Sequence, residues 1–194
     1  MRLINVQDHR FREFPDNKTP PYAILSHTWQ TCDHEIDSCC INKRDSKELS
    51  TAINSMFNWY EKADVCFAFL EDVSLDGDWK QEFKNYKWLT RGWTLQELLA
   101  PTTVQFYDKN WQLIGTRNEN PIFGLLADIT GISSGALSKE LPLEDFSAAQ
   151  KMSWAAERKT TEAGDIAYCL FGIFRIDIRI VYGGEGERTA FRRL

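Results

Sequence analysis

The sequence has no long apolar run, no excess of positive charge and no recognisable secretory leader. No segment reaches the roughly 18 consecutive apolar residues of a membrane span, and residues 1–8 lack the apolar core of a signal peptide. The formal net charge of -5 argues against sequence-independent binding to nucleic acid or binding to anionic membranes, because such binding requires a basic surface. We therefore expect a cytoplasmic protein with no nucleic acid or membrane partner.

The cysteines are few and do not form an ordered set. There are five at irregular spacings, which suits reduced thiols better than a disulfide framework. Cys66 and Cys169 lie in apolar runs and are expected to be small core residues. Residues of the types that bind zinc occur in one short stretch, namely His27, Cys32, His34, Cys39 and Cys40. Their spacing lacks the paired C-x-x-C form of common zinc sites, so we expect no metal.

The first half of the chain alternates apolar runs with an amphipathic segment. Residues 22–25 are apolar and lead into the polar residues 26–28, which predicts a buried strand that ends at a loop. Residues 46–63 carry apolar side chains at three- and four-residue steps, which predicts a helix. Residues 65–70 are continuously apolar and predict a second buried strand. This order predicts a right-handed crossover between two parallel strands.

The second half of the chain is expected to be mainly helical. Residues 104–107 and 111–114 flank a polar turn and predict a strand with a hairpin partner. Helices are then predicted over residues 121–130, 147–157 and 165–174. We therefore expect one domain over residues 1–194, with an α/β core over about residues 20–115 and a mainly helical extension over about residues 116–194.

Residues 91–101 place one carboxylate inside an otherwise apolar segment. Trp93 and Glu97 lie four positions apart, so on a helix they share one face. The helix is expected to stop before Pro101, which disfavours helical backbone at the preceding residue. Glu97 is either an acid beside an aromatic wall or a half-buried carboxylate that bonds backbone amides or Arg91. The residues alone leave both interpretations open.

Several ordered sequence blocks point to a known family. They are Tyr-Ala-Ile-Leu-Ser-His-Thr-Trp at residues 22–29, Asp-Ser-Cys-Cys-Ile-Asn-Lys at residues 37–43 and Arg-Gly-Trp-Thr-Leu-Gln-Glu-Leu at residues 91–98. Together they resemble the fungal heterokaryon incompatibility (HET) domain, and later blocks at residues 160–161, 165–170 and 182–186 look like the C-terminal part of that family. The resemblance covers nearly the whole chain. It implies a role in self/non-self recognition and regulated cell death when genetically different hyphae fuse.

One spacing departs from the family pattern. HET domains usually place some tens of residues, including a helix, between the block that ends at Trp29 and the block that begins at Asp37. Here only residues 30–36 connect the two blocks. The chain therefore looks like a HET domain that lacks one βα unit, through a degenerate gene, a mispredicted exon junction or a tolerated deletion.

The family resemblance also implies a fold and a site. HET domains are similar to TIR domains, which implies an α/β, TIR-like or flavodoxin-like fold with a mostly parallel sheet flanked by helices and a helical C-terminal portion. Some TIR domains cleave NAD with a glutamate four residues after a tryptophan, the spacing of Trp93 and Glu97. Glu97 is thus the expected catalytic acid, because a carboxylate stabilises the oxocarbenium-like centre that forms when nicotinamide leaves ribose. Ser26, His27 and Trp29 are expected at the C-terminal end of the first strand, where ligands bind in open α/β sheets, and would contact the ligand together with Trp93.

NAD enters these expectations as a substrate, and no bound cofactor is expected. Enzymatic activity stays open at this point, because two other interpretations fit the sequence. One is a non-catalytic interaction module that associates with itself or with other incompatibility or signalling proteins, through exposed aromatic residues such as Trp79, Trp88 and Trp111. The other is a degenerate, inactive copy that does not fold stably.

Overall fold

The part of the chain that the structure describes forms two sheets and a set of mostly short helices. The computed structural model describes residues 1–15, 18–28, 41, 45–178 and 186–194. The smaller sheet is an antiparallel pair of strands, β1 (Arg2–Ile4) and β2 (Phe11–Glu13). Within the described ranges, no helix is both long enough and apolar enough to cross a membrane.

Among the described residues, the larger sheet has four strands and is mostly parallel. Its order is β3 (Ala23–His27), β4 (Val65–Phe69), β5 (Val104–Tyr107) and β6 (Leu113–Thr116). The first three strands run parallel, and β6 returns antiparallel to β5. This confirms the expected α/β class with a mostly parallel sheet.

Helix α1 (Ser46–Lys62) connects β3 to β4, as the apolar spacing predicts. It begins at Asp45, whose side chain accepts hydrogen bonds from two backbone amides of the first turn at 2.9 and 3.2 Å. Its buried face ends in Tyr60, whose hydroxyl donates to the carbonyl of Leu25 in β3 at 3.1 Å. The helix is thereby fixed against the first strand of the larger sheet.

Three short helices lie between β4 and β5. They are α2 (Trp79–Glu82), α3 (Lys87–Thr90) and α4 (Thr94–Leu99), with a 3-10 turn at Phe83–Asn85 between the first two. Trp88 of α3 is fully buried and packs edge-on against Phe106 of β5, with the ring centroids 5.5 Å apart. The segment therefore carries aromatic residues into the core.

The hairpin between β5 and β6 differs from the sequence prediction. Trp111 was expected to begin the second strand, but it lies in the turn with a left-handed φ of 59°, and β6 begins at Leu113. The turn is built around Asp108, whose carboxylate accepts hydrogen bonds from the amides of Asn110 and Gln112 at 2.8 and 2.9 Å. An aspartate that binds the amides after it favours a turn over extended strand.

The rest of the described chain is helical, as expected. Its helices are α5 (Ile122–Thr130), α6 (Ser134–Leu137), α7 (Ala148–Ser153), α8 (Asp165–Tyr168) and α9 (Glu187–Phe191). Two are shorter than predicted. After Ser153 the chain leaves helix α7 in tighter turns, such as the one closed by the hydrogen bond from the amide of Ala155 to the carbonyl of Met152 at 3.1 Å. After α8 the chain continues in tighter turns, such as the one closed by the hydrogen bond from the amide of Phe171 to the carbonyl of Tyr168.

The parallel strands present two different faces. We call the first face the side formed by Ile24, Ser26, Cys66, Ala68, Val104 and Phe106, and the second face the side formed by Leu25, His27, Phe67, Phe69, Gln105 and Tyr107. Side chains alternate between these faces along each strand. The main hydrophobic cluster takes its parallel-strand residues from the first face and combines them with residues of the surrounding helices. The core of the molecule therefore lies on the first face.

Candidate functional site

Glu97 is presented by the short helix α4, over the first face of the sheet. The amide of Glu97 donates to the carbonyl of Trp93 at 3.4 Å, so these residues lie one helical turn apart, as predicted. The neighbouring Leu95 and Leu98 are fully buried, whereas Glu97 is half-buried. Apolar residues thus anchor the helix, and Glu97 is less buried than they are.

A buried hydroxyl holds the carboxylate of Glu97. Ser26, in β3, donates its hydroxyl to Oε2 of Glu97 and accepts a hydrogen bond from Nε1 of Trp88 at 2.6 Å. Ser26 is 1% exposed and Trp88 is fully buried, so water does not compete for the bond between them. The chain of bonds from Trp88 through Ser26 fixes one oxygen of Glu97 in place.

Trp93 is oriented by a different partner. Its Nε1 donates to Oδ2 of Asp165 at 2.8 Å. Asp165 is buried and is the first residue of α8. The indole of Trp93 is half-buried and is directed by the helical C-terminal part of the chain. The two residues of the predicted pair are therefore each positioned, Glu97 by β3 and Trp93 by α8.

A buried arginine stabilises the start of α4. Nη1 of Arg158 donates to the carbonyl of Arg91 at 2.8 Å and to the hydroxyl of Thr94 at 2.9 Å. Next to it, Lys159 forms an isolated parallel bridge with Arg91, which ties this part of the C-terminal region to the segment before α4. Burial lowers the pKa of Arg158 to about 10, an effect that the nearby Cys169 and Glu97 partly oppose. The guanidinium keeps its charge at neutral pH and lies within electrostatic reach of Glu97.

A second buried arginine caps the other end of α4. Arg117 donates from Nη1 to the carbonyls of Leu98 and Pro101 at 2.6 and 3.0 Å, and from Nη2 to that of Thr102 at 2.9 Å. A cation at the C-terminal end of a helix satisfies carbonyls that lack a partner in the helix and complements the helix dipole. Burial lowers its pKa to about 10, so it also stays charged at neutral pH.

A second carboxylate lies at the C-terminal edge of the parallel strands. Thr28 follows β3 and donates its hydroxyl to Oε1 of Glu71, which follows β4, at 3.1 Å. Thr28 is buried and Glu71 is half-buried. Glu71 was not predicted from the sequence, although an acid directly after the apolar run 65–70 was a signal for it. Trp88, Arg117 and Arg158 were also missed, because their roles depend on contacts that no local pattern encodes.

The structure brings together only some of the predicted site residues. Ser26 and Glu97 are in direct contact. His27 is half-buried and its side chain lies on the second face, opposite Ser26, because neighbouring strand residues alternate between faces. Trp29 lies outside the described residues, as do Cys32, His34, Cys39 and Cys40. Ser26 and His27 therefore do not line the same side of the sheet.

The thiols of Cys66 and Cys169 are small core residues, as expected. Both are fully buried. Burial raises the pKa of Cys66 well above its usual value and raises that of Cys169 to about 12. Neither is a thiolate at neutral pH, and the thiolate is the nucleophilic form. In the part of the chain that the structure describes, no group of three or more His, Cys, Asp or Glu side chains could hold a metal ion.

Comparison with known proteins gives one informative similarity. No family model matches the chain, and no solved structure matches it. The chain is 41% identical, over 241 residues, to the vegetative incompatibility protein HET-E-1 of Podospora anserina. This similarity takes in the whole of the chain and 18% of the relative, so the chain spans less than a fifth of that protein's length. Because the comparison runs over 241 residues and the chain has 194, 47 positions of the relative have no counterpart here. The chain is thus a homologue of one part of a fungal vegetative incompatibility protein.

Proposed function

We propose that the chain acts in heterokaryon incompatibility, as a domain for self/non-self recognition that leads to regulated cell death. The similarity to an incompatibility protein along the whole chain supports this role. The proposed setting is the cytoplasm, and the proposed partners are other incompatibility or signalling proteins.

The proposed chemistry is TIR-like cleavage of NAD with Glu97 as the catalytic acid. The observation that carries this proposal is the half-buried Glu97 carboxylate, fixed by the buried Ser26 and close to the charge of Arg158. A carboxylate held in one orientation stabilises positive charge as it develops, without reorganising during the reaction. The indole of Trp93, on the preceding helical turn, provides an aromatic surface for the substrate.

The reaction consumes NAD and water. The bond between ribose C1′ and the nicotinamide nitrogen breaks, and its electron pair leaves with nicotinamide, which becomes neutral. Glu97 stabilises the oxocarbenium-like ribose, water adds to C1′ and one proton is released, giving ADP-ribose. NAD is therefore a substrate, and of the residues expected to hold it, Trp93 lies one helical turn from Glu97, whereas His27 lies on the opposite face of the sheet from Ser26. Because Ser26 is buried and engaged with Glu97, its contribution is to orient the acid.

A comparison of three chains tests this chemistry. Wild type should consume NAD and release nicotinamide, and Glu97→Gln should lower the rate about a hundredfold or more, because it removes the charge and keeps the shape. Glu140→Gln is the matched control, since Glu140 is an exposed glutamate and its substitution should leave the rate unchanged. If wild type leaves NAD intact, or if Glu97→Gln is as fast as wild type, the proposed chemistry is wrong.

A second candidate function is a non-catalytic interaction module. Trp111 and Leu113 are 53% and 51% exposed, and large exposed apolar residues often mark contact surfaces. Trp88 was expected to belong to such a surface, but this expectation is wrong, because Trp88 is fully buried. Light scattering across protein concentration separates the candidates: a monomer at all concentrations that consumes NAD argues against the module.

We also propose that the 47 unmatched positions fall in the short connection between Trp29 and Asp37, as the loss of a βα unit requires. The number supports this proposal, because one such unit with its connections takes roughly 30 residues or more. Sequencing the transcript across this connection tests whether a longer form exists. A cooperative thermal transition of the 194-residue chain would argue against a degenerate copy that does not fold.

A further inference from the structure

A second carboxylate lies at the same end of β3 as the Glu97 site and takes no part in the chemistry proposed above. Glu71 follows β4 and accepts a hydrogen bond at 3.1 Å from the hydroxyl of Thr28, which follows β3. Because β3 and β4 are neighbouring parallel strands, both residues lie at the carboxyl ends of their strands. Ligands of open α/β sheets bind outside these ends. Glu71 therefore lies at the edge of the sheet where a nucleotide is expected.

Two hydroxyls of one short segment hold the two carboxylates. Ser26 donates its hydroxyl to Glu97. Thr28, two positions further along the chain, donates its hydroxyl to Glu71. Ser26 and Thr28 are 1% and 3% exposed, whereas His27 between them is half-buried, so the alternation of side chains in β3 continues to Thr28. The two hydroxyls are therefore on the same side of the strand, about 7 Å apart along it.

The charge of Glu71 has no counter-ion among the residues that the structure describes. Its Oε1 accepts the hydrogen bond from Thr28, and no donor among these residues bonds its Oε2. The recorded ion pairs join other side chains. A hydrogen bond that a carboxylate accepts is stronger than one between neutral groups. Glu71 is thus suited to a ligand that offers hydroxyl donors or positive charge.

The ribose that carries nicotinamide has both properties. Its 2′ and 3′ hydroxyls are neighbouring donors, and the nicotinamide ring on C1′ is positively charged in NAD. In dinucleotide-binding α/β folds, an aspartate or glutamate accepts a hydrogen bond from a ribose hydroxyl. We propose that Glu71, oriented by Thr28, binds the 2′ and 3′ hydroxyls of the nicotinamide ribose, while Glu97 faces C1′ of the same sugar. This inference rests on the proposed function, in which NAD is the substrate.

The two acids then have different effects on the reaction. Glu71 contacts hydroxyls that remain on the sugar throughout, so it binds the substrate and the transition state alike. Removal of its charge should raise KM about tenfold and change kcat less than about threefold. Glu97 acts on the charge that develops at C1′, so its substitution lowers kcat instead.

Binding of an analogue that cannot react tests the proposal without catalysis. In carba-NAD a CH2 group replaces the ring oxygen of the nicotinamide ribose, so no oxocarbenium-like centre forms, and both hydroxyls are kept. In titration calorimetry, Glu71→Gln should bind carba-NAD about tenfold or more weakly than wild type, because glutamine keeps the shape and loses the charge. Glu140→Gln replaces an exposed glutamate and should bind like wild type. A carba-NAD without the 2′ and 3′ hydroxyls should bind wild type and Glu71→Gln equally, within about twofold.

Thr28 is a positioning residue in this proposal, since it acts through Glu71. Thr28→Val removes the hydroxyl and keeps the volume, and it should weaken the binding of carba-NAD several-fold. Thr28→Ser keeps the hydroxyl and should restore the binding. A loss of binding in Thr28→Ser as large as that in Thr28→Val would contradict the role of the hydroxyl.

Two results in the calorimetry would overturn the proposal for Glu71. One is equal affinity of wild type and Glu71→Gln for carba-NAD, including the case in which neither binds it. The other is a loss in Glu71→Gln that is just as large for the analogue without hydroxyls. If Glu71→Gln does not unfold cooperatively, the carboxyl groups of wild type are labelled with a carbodiimide and glycine ethyl ester. Carba-NAD should then protect Glu71 and leave Glu140 unprotected, and unchanged labelling of Glu71 overturns the proposal.

Failure of the proposed chemistry gives a different result from failure of the ribose site. If wild type binds carba-NAD through Glu71 and leaves NAD intact, the chemistry at Glu97 is wrong and the ribose site stands. If wild type consumes NAD and Glu71→Gln has the affinity and the KM of wild type, the ribose site is wrong and the chemistry stands.

Discussion

Replacing Ser26 by alanine should destabilise the protein far more than the loss of one hydroxyl suggests. The hydroxyl of Ser26 makes two bonds, to Nε1 of Trp88 and to the carboxylate of Glu97, and Ser26 is 1% exposed. Ser26→Ala leaves the indole N–H of Trp88 buried without an acceptor, which costs about 1–3 kcal/mol. Glu97 is half-buried and regains part of its lost bond from water. The free energy of unfolding should therefore fall by about 2–4 kcal/mol.

The measurement is urea unfolding, with Ser134→Ala as the control because Ser134 is exposed. The control should change the free energy of unfolding by no more than about 0.5 kcal/mol. A double-mutant cycle combines Ser26→Ala with Trp88→Phe. The double substitution should lower the free energy of unfolding by about 1 kcal/mol less than the sum of the two single losses. The reason is that Trp88→Phe removes the indole donor that Ser26→Ala would leave buried without an acceptor. If Ser26→Ala lowers the free energy of unfolding by no more than the control does, the hydrogen bonds that join Trp88, Ser26 and Glu97 do not stabilise the fold, and the reasoning is wrong.

Two further predictions concern packing and pH. Gly172→Ala should lower the free energy of unfolding by about 1–3 kcal/mol, because a Cβ at this position would lie 2.1 Å from Cβ of Phe57. Gly77→Ala is the control, since a Cβ at Gly77 meets nothing within 4 Å and should change the free energy of unfolding little in the same assay. Burial raises the pKa of Asp108, but the amides of Gln112, Leu75 and Asn110 outweigh this and lower it below 3.8. Asp108 therefore stabilises the fold at pH values above its unfolded pKa and loses this effect as the pH falls through its folded pKa. When the free energy of unfolding is measured at decreasing pH below about pH 4, it should fall less for Asp108→Asn than for wild type. An equal fall in both proteins would contradict this prediction.

Local patterns in the sequence predict the elements that depend on local physics. The apolar spacing identifies α1, and the continuous apolar run identifies β4, because both signals are properties of a few neighbouring residues. Likewise, the four-residue step from Trp93 to Glu97 places them on successive turns of one helix. These predictions hold because packing reinforces the local preference.

The contacts that orient the site could not be predicted in this way. Trp88 and Ser26 are 62 positions apart, and Arg158 reaches Thr94 across 64 positions. Such pairs follow from the packing of helices on the sheet, which no short pattern specifies. The start of β6 was misplaced for a related reason, since Trp111 has the β-propensity of an aromatic residue but takes a left-handed conformation in the turn around Asp108.

The bridge between Arg91 and Lys159 has a consequence for how the molecule folds. Helix α4 has six residues, and helices shorter than about 12 residues are marginal in water without tertiary support. Its support at the N-terminal end comes from Arg158 and Lys159, far along the chain. We therefore expect the helix that bears the acid and the region after α7 to unfold as one cooperative unit, with backbone amides that exchange with solvent together. A fragment that ends after β6 would retain Glu97 in its sequence but leave it on a segment that has lost its helical order.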